Sequence, residues 1–107
     1  MKDIIDVRGA SGAVYRFTRF RDGNPLSAMG GNFIYAREAN AQTHLLYAGE
    51  AQNLLTDARA RWDQAVREHA AENLYTRLNI SERTRQHEHA DILGGEVLPM
   101  NEALAKE

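Results

Sequence analysis

The chain has 107 residues, 43% of them apolar and 26% charged, with a formal net charge of −2 and no cysteine. That is the length of a single domain, and the missing cysteines exclude disulfides, thiolate nucleophiles and zinc–thiolate sites. The near-neutral balance argues against a protein held to nucleic acid by bulk charge, and no apolar run reaches the ~18 residues of a membrane span.

The first residues, MKDIIDVRG, lack an apolar stretch of signal-peptide length, so a cytoplasmic location is the expectation. Charge is uneven along the chain. Residues 1–37 carry six basic and three acidic side chains, whereas residues 38–107 carry seven and twelve. Eleven of the thirteen cations are Arg, whose planar fork suits carboxylates and phosphates.

Residues 4–7 and 13–21 read as strands joined through Gly9-Ala10-Ser11-Gly12, a hairpin signal. Ala13, Tyr15 and Phe17 share one face of the second strand; Val14, Arg16, Thr18 and Phe20 share the other. Asp22-Gly23-Asn24-Pro25 breaks the pattern, and a loop runs to Gly30-Gly31. Residues 32–37 and 44–48 form a second pair of strands, with a polar turn between them and Gly49 after them.

From Ala51, apolar residues recur at three and four: Leu55, Ala58, Trp62, Ala65, Val66 and His69 make one stripe on a helix of about five turns. Trp62 belongs to the core on this reading, and His69 caps the helix. Residues 73–79 alternate as a strand. Ser81 is a good N-cap for a helix over 82–93, stopped by Gly94-Gly95. A Pro99-Met100-Asn101 step precedes a last short helical stretch to Glu107.

The order predicts an α+β domain: a mostly antiparallel sheet of two hairpins plus one further strand, flanked by two main helices. Residues 1–107 form one domain, with 1–29 a hairpin-and-loop extension and 30–107 the core. His87 and His89 sit two apart on a helix, point to different faces and read as surface residues. His44 reads as an edge or loop residue.

Gly31-Asn32-Phe33-Ile34-Tyr35, then Leu46-Tyr47-Ala48-Gly49, then a long helix, resembles the GIY-YIG nuclease domain. Arg85-Gln86-His87-Glu88 through Ile92 resembles the family's Arg-x-x-Glu-x-x-x-Ile helix, and Pro99-Met100-Asn101 its closing Pro-x-Asn. Gly9-Ala10-Ser11-Gly12-Ala13-Val14-Tyr15-Arg16-Phe17 is similar to a hairpin that small bacterial members place before the domain. The resemblance spans about residues 9–101.

It implies single-metal phosphodiester hydrolysis. Glu88 would hold a divalent ion, usually magnesium; strand tyrosines would orient or deprotonate water; an Arg of the first helix would stabilise phosphate charge. The set carries over incompletely. The first motif Tyr aligns with Phe33, which has no hydroxyl, although Tyr35 follows two residues on. Tyr47, Glu88 and Asn101 are retained. The residue after Tyr-x-Gly, often Lys, is Glu50, and the first-helix Arg falls on Asp57. Arg61, four residues on, is placed to substitute, as is Arg59. Losing one positioned charge stabiliser commonly costs about 10²–10³ in rate.

The expectation is therefore a degenerate, non-hydrolytic GIY-YIG-like module that binds nucleic acid or protein. The alternative is a small metal-dependent endonuclease using Tyr35, Tyr47, Arg61, Glu88 and Asn101. Arg16, Arg19 and Arg21 are the candidate phosphate contacts; their alternative role is to keep an edge strand from aggregating. Val14, Tyr15, Phe17 and Phe20, on both faces of the first hairpin, raise self-association as a homodimer.

Overall fold

Residues 2–106 are described by a computed structural model. The elements run β1 (Ile4–Arg8), β2 (Val14–Arg19), β3 (Gly31–Ala39), β4 (Gln42–Ala51), α1 (Leu54–Asp57), α2 (Trp62–His69), β5 (Asn73–Leu78), α3 (Glu82–Gly95) and α4 (Pro99–Ala105). The five strands form one sheet in the order β1-β2-β5-β3-β4, with every neighbour antiparallel. The α+β architecture, both hairpins and the Ser81-capped helix are as the sequence predicts. Among the described residues, no helix is long and apolar enough to cross a membrane.

The first hairpin is joined to the core rather than hung beside it. β2 pairs with β5 at Thr18↔Thr76 and Arg19↔Tyr75, so the expected extension and core share one sheet. The second hairpin is longer than predicted. Its strands extend to Ala39 and resume at Gln42, leaving a two-residue turn. Asn40 and Ala41 have φ of 54° and 61° there. This left-handed pair matches the twist of the flanking strands, but Ala at the second position lacks the freedom of the usual Gly.

The helix expected over 51–69 is two pieces, α1 and α2, separated by turns at residues 58–61. Asn53 starts the first by accepting a hydrogen bond from Thr56 N–H on its side chain. The break rotates the apolar stripe. Leu54, Ala58 and Ala65 are buried, while Leu55 and Val66, counted above as core, are exposed.

The sheet is covered on both faces at its centre, which is why β3 is buried from Gly31 through Ala36 without alternation. On one face Phe33, Tyr35, Leu46 and Leu74 pack against Leu54, Ala58 and Ala65. On the other, Ile5, Val7, Tyr15, Phe17, Ile34, Ala48 and Tyr75 pack with Ile92 of α3 and Leu98. β1 and β2 are covered on this second face only, so they alternate strictly between exposed and buried. Tyr15 and Phe17 thus meet α3 within the chain, and Ile4 and Val14 point outward.

Candidate functional site

The tyrosines lie on the α1–α2 face. Tyr35 and Tyr47 stand opposite each other in adjacent strands, with ring centroids 5.3 Å apart. Phe33 lies 5.9 Å from Tyr47 and packs against Gly49, where a side chain would collide with its ring. A bulge beside this pair, where Leu46 and Tyr47 oppose one residue, lets both side chains join the same core. Trp62 meets Tyr35 edge-on at 5.2 Å; half-buried, it packs against the core from its rim rather than inside it, where the sequence reading places it.

Tyr35 holds the helix break in place. Its hydroxyl donates to the Ala58 carbonyl at 2.7 Å and accepts from Arg61 N–H at 3.2 Å, satisfying backbone groups that the interrupted helix leaves unpaired. Burial pushes its pKa up to about 12, so it keeps its proton at neutral pH. A deprotonating role for Tyr35 is therefore unsupported by its surroundings. The Arg61 guanidinium is turned outward, toward Gln64 at 3.4 Å. Arg59 lies over the ring of Phe20 at 5.3 Å.

Glu88 lies on the opposite face of the sheet. Its Oε1 accepts from Arg77 Nε and from Asn79 Nδ2, each at 2.9 Å. Asn79 Nδ2 also donates to Asn32 Oδ1, and Asn32 Nδ2 donates to the Arg85 carbonyl. Arg85 is 2% exposed. Its Nε donates to Glu50 at 2.6 Å, and its Nη1 to the carbonyls of Asn79 and Ile80. This chain of paired groups fixes α3 to β3, β4 and β5. Glu50, the acid that stood out against the phosphate reading, is the partner of a buried cation.

His89 corrects the sequence reading. It is half-buried on α3, with Nδ1 enclosed and unpaired, and burial lowers its pKa against the opposing pull of Glu50.

The five expected catalytic residues therefore do not meet. Tyr35, Tyr47 and Arg61 belong to the α1–α2 face; Glu88 belongs to the α3 face, with the sheet between them. Asn101 belongs to neither. Its side-chain amide accepts from Ala48 N–H at 2.8 Å and donates to the Ala48 carbonyl at 2.9 Å, closing the outer edge of β4. A divalent ion fits poorly at Glu88, since the carboxylate is held by a guanidinium 2.9 Å away. Among the described residues, no three His, Asp or Glu side chains gather to hold a metal ion.

The expected phosphate contacts are also committed. Arg16 pairs with Asp6 at 3.1 Å; Arg19 and Arg21 both pair with Asp3, Arg19 at 2.7 Å. The acids come from β1 and from Asp3 just before it, which the strand reading brings beside β2 but which a count of charges does not show. Arg16 and Arg19 also fall on opposite faces of their strand.

Sequence reasoning missed Asp91. The Gly9–Phe17 motif closes around it. Ser11 N–H and Oγ donate to its carboxylate at 2.9 and 2.7 Å, and Tyr15 hydroxyl donates at 2.7 Å. A side chain at Gly9 would occupy the carboxylate's place. These bonds hold the Asp91 carboxyl below its usual range. The motif's small and hydroxyl residues were a signal for a polar guest; nothing in the helix marked Asp91 as that guest. No protein-family model matches the chain, and neither a curated protein nor a solved structure matches it.

Proposed function

We propose that the chain is a non-hydrolytic, GIY-YIG-like module that acts by binding a protein partner. The observation that carries this reading is the separation of Tyr35, Tyr47 and Arg61 from Glu88 by the sheet, with Glu88 already occupied by Arg77 and Asn79. Hydrolysis of a phosphodiester needs the metal ligand and the charge-stabilising cation around one phosphate. The partner reading rests on the pairing of Arg16, Arg19 and Arg21 with Asp3 and Asp6, which spends the charge a nucleic acid would use.

Plasmid nicking in magnesium or manganese tests the first half. The wild type should cut no faster than Glu88→Ala, and metal-dependent cleavage lost in that variant would establish the nuclease instead. Nucleic-acid titrations at several salt concentrations test the second. Salt-sensitive binding that Arg16→Ala/Arg19→Ala/Arg21→Ala flattens would return the module to nucleic acid.

A further inference from the structure

The sheet has two free edges, and both line one cleft. Ile4 and Asp6 of β1, and Thr43 and Leu45 of β4, border a space of about 860 Å³ that Glu96 and Val97 also line. β1 and β4 are first and last in the strand order, so the sheet curls until its unpaired edges share this cleft.

The backbone groups facing it can be assigned. Arg19 N–H donates to the Asp3 carbonyl, and Gly9 N–H donates to that of Ala13. Odd-numbered residues of β1 therefore bond inward to β2, and Ile4 and Asp6 turn their N–H and C=O outward. On β3, the Ala36 carbonyl and Glu38 N–H bond to Glu72, away from β4. Their partners Leu45 and Thr43 therefore face outward as well. Farther along β4, the outward groups of Ala48 are taken by the Asn101 amide, one donor and one acceptor. The edge is thus closed where α4 covers it and open along the cleft.

We propose that this cleft binds an extended, acidic peptide segment of a partner protein as a sixth strand. An edge of alternating donors and acceptors is matched by another backbone in the extended form. Charge sets the acidic preference. Lys2 and Arg37 line the cleft and are in no ion pair among the described residues, whereas Asp6 is held by Arg16. Among the described residues, Glu96 is the one opposing acid in the lining that Arg does not hold. Val97, 80% exposed, and Ile4 offer apolar contacts to alternate side chains of the incoming strand. The proposal deepens the binding-module reading and rests on it for its biological sense.

The probe is a fluorescein-labelled eight-residue peptide of alternating Val and Glu, followed by anisotropy against the intact chain. Saturable binding is expected, weakened at least tenfold when alternate peptide amides are N-methylated. Ile4→Pro removes one outward N–H and leaves the inward bonds of β1 in place, so the fold should persist while binding falls at least tenfold. Lys2→Glu/Arg37→Glu should reverse the preference toward the matching Val–Lys peptide. Should Ile4→Pro misfold, the N-methylated peptide tests the same bonds on the wild type. No saturable binding, or binding indifferent to N-methylation, would overturn the proposal. So would a wild-type dimer in sedimentation that Ile4→Pro abolishes, since the occupant would then be a second copy. Nuclease activity would undo the module reading by a separate assay and leave the peptide result standing.

Discussion

The two faces of the sheet are built on different physics. The α1–α2 face is aromatic: Phe33, Tyr47 and Trp62 all pack on the ring of Tyr35, whose buried hydroxyl is spent on backbone groups. The α3 face sets a polar chain beside its apolar cluster, running from Glu50 and Arg85 through Asn32 and Asn79 to Glu88 and Arg77, with Asp91 held separately by Ser11 and Tyr15. Apolar packing tolerates small changes of shape, whereas a buried polar chain fails as a unit when one member is lost. A helix such as α3, whose buried residues are Arg85 and Ile92, is fixed to the sheet in both ways, and the polar chain carries the larger share of its contacts. That explains how its charged residues can look catalytic in sequence and be structural in the fold.

The largest effect should come from breaking the polar face at Arg85. Arg85→Met leaves Glu50 and two backbone carbonyls without their buried partner and should cost about 3 kcal/mol in urea denaturation. Arg85→Met/Glu50→Gln should recover part of that loss. A cost under about 1 kcal/mol would mean that α3 is held by Ile92 alone.

The aromatic face should break more gently. Tyr35→Phe keeps the ring but orphans the buried Ala58 carbonyl, for a loss of about 1–3 kcal/mol. Tyr47→Phe, whose hydroxyl supports no backbone group among the described residues, should change stability by under about 0.5 kcal/mol. Equal losses in the two variants would remove Tyr35's special place at the helix break.

Acid sharpens the contrast at Asp91. The Asp91 carboxyl is depressed in the folded chain by Ser11 and Tyr15. Its contribution is therefore present above the unfolded value of about 3.9 and is lost as pH falls through the lower folded value. Protection of the Ser11 amide from hydrogen exchange should fall across that acid window in the wild type. In Asp91→Asn the pH-dependent part should vanish; an unchanged profile would detach Ser11 from Asp91.

The smallest effect lies in the turn between β3 and β4. Ala41→Gly relieves a left-handed alanine and should stabilise the chain by about 0.5 kcal/mol. A loss of stability would show that the Ala41 methyl makes contacts that outweigh its strain.

The sequence by itself determined most of the elements and the two hairpin pairings, but not the pairings of β5 with β2 and β3. Alternation in β1 and β2, the presence of two hairpin turns and the Ser81 cap are signals carried within a few residues, because the chemistry behind them is local, whereas α3 runs on through Gly94 and Gly95, where a stop is expected, and is capped at Glu96. It also marked Tyr35, Tyr47, Glu88 and Asn101 as residues out of the ordinary. Only the tertiary structure decided what they do. Which face of the sheet a residue joins depends on β2 pairing with β5 and on α3 crossing the side opposite α1 and α2, contacts between residues far apart in the chain. The break at residues 58–61 was hidden for the same reason: a helical period runs through it, and the hydroxyl that stabilises it comes from Tyr35, 23 residues before Ala58. Asp91, the pairing of Arg85 with Glu50 and the outward edge of β1 were silent in the sequence because a buried ion pair or an unpaired edge is a property of two surfaces meeting, and a single chain read in order shows one surface at a time.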